Sequence, residues 1–200
     1  FIGYGACHLN KLQITVPFNM GLQSIKLPNS ITSIGRSAFS NNHLKHVVIP
    51  DSVTTIRGHA FDDNQLASVK IGDSVITIGN HSFANNQLKK LKISDSVNLI
   101  EHGAFSYNEL SKVVIPDSVT TIGNYAFSDN QLKNVEIGNT VTTIGDYAFS
   151  DNQLKNVIIA NSVTTIGRRA FSQNEIIGIK LGSNLKLESQ ILDDDEEFKD

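Results

Sequence analysis

LSKVVIPDSVTTIGNYAF, from Leu110 to Phe127, is one pass of a pattern that returns every 22 residues through most of this chain. Its closing aromatic recurs as Phe39, Phe61, Phe83, Phe105, Phe127, Phe149 and Phe171. A fixed period of that length is the signature of one supersecondary unit stacked on copies of itself. Seven further columns keep register with the phenylalanines. They run from Ile31 to Val163, Ile34 to Ile166, Ala38 to Ala170, Asn42 to Asn174, Leu44 to Ile176, Val47 to Ile179 and Ile49 to Leu181.

Within a unit, Leu44, Val47 and Ile49 read L-x-x-V-x-I. The last two apolar positions alternate with outward ones, as a strand buried on one side requires. A short strand is therefore predicted around His46 to Ile49. Pro50 or Gly72 ends it, and Asp51-Ser52 or Asp73-Ser74 supplies a turn whose side chains bond local backbone. Ser52 to Ile56 is polar and β-branched apart from Val53 and Ile56, so it is predicted to cross one end of the coil in extended or turn form. Gly35 to Ser40 places apolar residues at helical offsets but allows only a short helical or 3₁₀ turn.

One such coil cannot bury its own apolar residues. Stacking brings Phe onto Phe and Val onto Val, and full burial of one Phe stabilises by roughly 1.5–3 kcal/mol. With strands about 4.8 Å apart, seven copies make a rod or shallow arc on the order of 35 Å long. The aligned Asn column is expected to satisfy backbone groups that the tight coil leaves unpaired, with stacked copies able to bond one another.

The combination of L-x-x-V-x-I with I-G-x-x-A-F, as in Leu110 to Phe127, resembles the BspA-type (Treponema pallidum-type) leucine-rich repeats of bacterial surface proteins and some protist surface families. The resemblance covers Leu22 to about Gly182. In that family the residue three beyond Phe is often Cys, whereas Asn stands here. The resemblance implies a leucine-rich repeat solenoid, a right-handed coil with a parallel sheet on the concave side and short helical turns on the convex side. It also implies binding of host or matrix macromolecules, a cell-surface or secreted location, and no catalysis.

The repeats are assigned to residues 31–184. Residues 1–30 read as a degenerate N-terminal capping repeat, in which Leu9, Leu12, Leu22, Ile25 and Leu27 precede Ile31, Ile34, Leu44, Val47 and Ile49 by one period. Residues 185–200 read as a partial C-terminal cap with an acidic, solvated tail, the whole forming one continuous domain. Asp193 to Asp200 carries −5, six acids against Lys199, and the entire chain −3. No apolar run approaches a membrane span. The single cysteine, Cys7, excludes an internal disulfide framework. The chain opens at Phe1 without methionine or signal sequence, as a piece of a longer protein would.

Ten of the thirteen lysines fall in three outward columns of the L-x-x-V-x-I segment, counting Lys26. The candidate partner-binding face comprises Lys45, Val48, Lys70, Lys89, Lys90, Lys92, Lys112, Val114, Lys133 and Ile158, with Lys70, Lys89, Lys90, Lys92 and Lys112 at its centre. Aspartates gather instead in the turns, giving a basic face with acidic edges. Such a face suits a host or matrix protein with an acidic surface, or an anionic glycan. Lysine at exposed strand positions is equally a device against edge pairing. Few arginines and no aromatics on the strand face argue against nucleic acid.

His59 and His81 lie one period apart with Tyr125 and Tyr147 later in the same column, but Ser37 and Gly103 on either side supply no third ligand. No Ser, His and Asp set, phosphate-cradling glycine loop or paired carboxylates stand outside repeat positions. The expectation is a monomeric, non-enzymatic interaction module without metal or cofactor. The alternative is a structural spacer that presents another domain and has no ligand of its own.

Overall fold

The computed structural model describes residues 20–185, together with the backbone pairing of Gln13–Ile14. The remainder of the proposed caps, including Cys7 and the acidic tail, lies outside the described residues. The chain winds as a stack of coils that present two kinds of strand. Strands of two residues are β1 (Gln13–Ile14), β2 (Ser33–Ile34), β4 (Thr55–Ile56), β6 (Thr77–Ile78), β7 (Leu99–Ile100), β9 (Thr121–Ile122), β11 (Thr143–Ile144) and β13 (Thr165–Ile166). Strands of three residues are β3 (His46–Val48), β5 (Ser68–Lys70), β8 (Lys112–Val114), β10 (Asn134–Glu136), β12 (Asn156–Ile158) and β14 (Gly178–Lys180).

The two-residue strands form the continuous element of the fold, an eight-stranded parallel sheet in the order β1-β2-β4-β6-β7-β9-β11-β13. The segment predicted to cross one end of the coil thus carries the longest sheet. The predicted strand at L-x-x-V-x-I exists, but it pairs only as β3–β5, β8–β10 and β12–β14. Both sets are parallel with partners 22 residues apart, as in Ser33↔Thr55 and Val47↔Val69. The first pair departs from this: Ile14, not Leu12, lies opposite Ile34. The coil that joins them is two residues shorter than the rest, so aligning the leading segment at a uniform period displaces it by two.

Among the described residues there is no helix. Gly35 to Ser40 instead makes two successive turns, with Ala38 N–H donating to Gly35 O at 3.3 Å and Ser40 N–H to Ser37 O at 3.4 Å. Alternate amides point along the stack: Ser37 N–H reaches Gly58 O at 3.0 Å, and Phe39 N–H reaches Ala60 O at 2.8 Å. Ser37 and Asn41 have φ of 52° and 54°, and the equivalents in later coils behave alike. Left-handed residues so placed end any helical run, so the spacing that resembled a helix belongs to interlocked turns.

The interior is built as columns. Phe39 to Phe171 stack with centroids 5.2–5.4 Å apart and rings within 17° of parallel. All seven are buried, as are the Ile34-to-Ile166 and Leu44-to-Leu154 columns. Column asparagines bridge coils: Asn64 Nδ2 donates to Phe61 O and, in the previous coil, to Phe39 O at 2.8 Å, while its Oδ1 accepts Leu44 N–H at 3.0 Å. Their partners are backbone atoms throughout, not one another, among the described residues.

Candidate functional site

The alternation within each three-residue strand puts its middle residue toward the core and its neighbours outward, as in the exposed–buried–exposed run of His46, Val47 and Val48. All ten predicted face residues are exposed. The aliphatic members are markedly so, with Val48, Val114 and Ile158 retaining 59%, 46% and 66% of their accessible surface. Ile177, at 80%, stands one coil beyond Lys155 in the column of Lys133 and Lys155.

The lysines occupy unequal surroundings. Lys112 Nζ lies 2.5 Å from Glu136, Lys155 Nζ 3.3 Å from Glu175 and Lys89 Nζ 3.6 Å from Glu109. Glu109 and Glu175 sit just after the column asparagines, so the face carries acids of its own and the division into basic face and acidic edge is incomplete. Both acids stand in one column of the sequence, immediately before the L-x-x-V-x-I segment. Exposed pairs of this kind stabilise little, but they lower the local potential. Lys45, Lys70, Lys90, Lys92 and Lys133 have no carboxylate partner within ion-pair distance among the described residues.

At the densest part of this cluster the short sheet is interrupted. Residues 90–92 form no strand, although β5 lies one coil before them and β8 one coil after. In register, Lys92 would stand opposite Lys70, and Lys90 opposite Lys112. Like charges directly opposite destabilise a strand pair, and Leu91 replaces the β-branched residue usual in its column. A second gap separates β10 from β12. There, a depression of about 470 Å³ is lined by Lys133, Asn134, Gln153, Lys155, Asn156 and Glu175.

Part of the acidic edge has a structural role. Asp51 Oδ1 accepts Asp73 N–H at 3.0 Å, and Asp117 Oδ1 accepts Asn139 N–H at 2.6 Å, each tying a turn to the following coil.

The histidine column is richer than its spacing indicated. His59 and His81 stack at 5.1 Å, and His102, from the neighbouring column, meets His81 edge-on at 4.8 Å. Tyr125 and Tyr147 continue the ring series, with centroids 5.4 and 4.8 Å apart along it. His81 leans into space that a side chain would fill at Gly103, where a Cβ would fall 2.3 Å from the imidazole. Burial, then His102 and His59, hold His81 below the ordinary histidine range, against a smaller opposing effect of Asp62. His59 Nδ1 is bonded to Asp62 Oδ2 at 2.8 Å. Among the described residues, no three His, Cys, Asp or Glu side chains are arranged to hold a metal ion. No helix there is long and apolar enough to cross a membrane.

No curated protein matches the chain. Among solved structures, a leucine rich cell surface protein from Faecalibacterium prausnitzii is 30% identical, with a TM-score of 0.62 over 84% of this chain and 48% of its own. YopM from Yersinia enterocolitica, at 18% identity and TM-score 0.59, is matched over 85% of this chain and 36% of that one. The pneumococcal vaccine antigen PcpA, at 19% and 0.52, is matched over 88% and 41%. The latter two share the fold alone, and the chain spans less than half the length of all three. The pattern of the BspA type leucine rich repeat region matches residues 18–133 and 120–194, in six copies. With its repeat columns, parallel coils and this match over most of its length, the chain belongs to the BspA-type leucine-rich repeat family.

Proposed function

We propose that the chain is a non-enzymatic adhesion module of a bacterial cell-surface or secreted protein, holding an anionic macromolecular partner against its lysine face. The observation that carries this reading is the cluster of Lys70, Lys90, Lys92 and Lys112. It is exposed, only partly neutralised, and coincides with one of the two breaks in the ladder of three-residue strands. Lys70 and Lys112 stand on edge strands of two-stranded sheets, but each has a further coil of the same stack beyond its edge, so protection against a second chain accounts for them less well than a binding role does. The Faecalibacterium cell surface protein supports the location by likeness.

The test is simultaneous charge reversal of Lys70, Lys90, Lys92 and Lys112 to Glu, with binding to extracellular-matrix proteins and heparin followed by interferometry. Loss of binding at physiological salt is expected. Unchanged binding to every bound probe rejects this face. A native chain that binds none of them leaves the spacer, for which the continuous Phe and Asn columns supply the rigidity.

A further inference from the structure

We propose that the depression between β10 and β12 is a subsite for one carboxylated sugar unit of the hexuronic acid class, carried by a glycan held along the lysine face. This rests on the reading of that face as an anion-binding surface and names the chemical class that one part of it takes.

The depression lies where two coils leave a bond unmade. Where strands are paired, the residue two before each three-residue strand's core position donates its N–H to the preceding coil. Ala67 reaches Lys45 O at 2.9 Å, Lys133 reaches Ser111 O at 3.0 Å and Ile177 reaches Lys155 O at 2.9 Å. Lys155 N–H and Lys133 O lack the equivalent bond, which leaves a donor and an acceptor open beside the space of about 470 Å³. That volume falls in the range of small-molecule sites, about 300–1,000 Å³.

The lining selects by what it holds and by what it lacks. All six lining side chains are polar or charged, so an apolar ligand gains little by entering. Asn134, Gln153 and Asn156 bring three carboxamides, none bonded to another group among the described residues. Each offers donors and an acceptor, the complement of a ring of hydroxyls. Lys133 has no carboxylate partner among the described residues, whereas Lys155 Nζ lies 3.3 Å from Glu175. Two ammonium groups against one carboxylate leave a single net positive charge, which matches one anionic group. A polysulfated unit would exceed it and meet Glu175. The acidic side chain of a protein would satisfy Lys133 but leave the carboxamides to water. A uronate uses both, with its carboxylate on Lys133, its hydroxyls on the carboxamides and its C–H faces against the methylene stems of the lysines.

The test is an NMR titration of the isotope-labelled chain at physiological salt with methyl glucuronoside. Two comparators divide its chemistry: methyl glucoside has the hydroxyls without the charge, and acetate the charge without the hydroxyls. Methyl glucuronoside should give saturable shifts at the Lys155 backbone amide and at the side-chain amides of Asn134, Gln153 and Asn156. Both comparators should bind about tenfold more weakly. Lys133→Gln should erase the preference over methyl glucoside, and Asn156→Ala the preference over acetate. Both residues are exposed, so unchanged thermal midpoints are expected and confirm that the variants fold.

An absence of saturable shifts at these groups overturns the proposal. Acetate binding as tightly as methyl glucuronoside, with Asn156→Ala silent, overturns it in favour of an acidic side chain of a protein partner. Lys70, Lys90, Lys92 and Lys112 do not line the depression, so their reversal should leave the glucuronoside shifts in place. If that reversal abolishes binding of matrix proteins or heparin while methyl glucuronoside never binds the native chain, the proposed function stands and this inference falls. If methyl glucuronoside binds as described but no macromolecule does, the reverse holds.

Discussion

Asn86 Nδ2 donates to the Phe61 carbonyl oxygen one coil earlier at 2.9 Å, joining the polar column of the fold to its aromatic one. The same amide group reaches Phe83 O and Ala84 O, and its Oδ1 accepts Leu66 N–H at 2.9 Å. One buried side chain thus satisfies backbone groups of two coils. Asn86→Ala leaves the Leu66 N–H unpaired in the interior and removes one donor each from Phe61 O, Phe83 O and Ala84 O, which keep bonds from Asn64, Asn108 and Asp63; a buried unsatisfied group costs about 1–3 kcal/mol. Destabilisation of about 2–4 kcal/mol is expected in urea unfolding. Asn86→Asp should be at least as damaging, because it replaces the donor with a charge facing carbonyl oxygens.

The aromatic column makes a positional prediction. Phe105 stacks on Phe83 and Phe127, both at 5.4 Å, whereas Phe171 has only Phe149 on its column within the described residues. Phe105→Ala should cost about 3–5 kcal/mol. Phe171→Ala should cost less, because a cavity at the last ring of the column interrupts one interface between coils instead of two. Equal losses in thermal unfolding would show that the rings contribute independently of the stack.

The lowered proton affinity of His81 makes the stack sensitive to acid. Its folded-state pKa lies below the unfolded value of 6.5, so between the two the unfolded chain binds more protons. The contribution is therefore fully present above about pH 6.5 and is lost as pH falls toward the folded value. His102 and His59 face the ring, with Asp62 beyond His59 opposing them. Urea midpoints should fall between pH 7.5 and 5.5, and His81→Asn should shrink that fall. Asparagine tolerates the φ of 50° at this position and does not titrate.

Much of this molecule is legible in its sequence, because period alone assigns Phe105, Asn108 and Leu110 to buried columns. The outward positions of Lys70 and Val114 follow from the same register. The main sheet was less visible: Val53 and Ile56 are three apart, which shows no alternation, and a two-residue strand such as β4 is too short to display any. Ile34 and Ala38 are four apart, a helical spacing, yet Ser37 between them takes a left-handed backbone that no glycine announces. The place of His102 beside His81 depends on the empty side-chain position at Gly103, a relationship between coils that column alignment separates. The Lys89–Glu109 and Lys155–Glu175 pairs are hidden likewise, since each joins different columns of successive coils.

The interrupted ladder at residues 90–92 ties stability to the proposed function through one pair of substitutions. If repulsion of Lys92 by Lys70, and of Lys90 by Lys112, prevents pairing there, then Lys90→Thr with Lys92→Thr should restore it. Threonine favours strands, and removing two like-charged cross-strand pairs should stabilise by about 1 kcal/mol. Amide hydrogen exchange at Leu91, Lys92→Thr and Ile93 should slow, joining β5 to β8 through a new strand. The same double variant should lose affinity for an anionic partner, so stability and binding move in opposite directions. A variant that gains neither protection nor stability would attribute the gap to Leu91, and Leu91→Val alone should then close it.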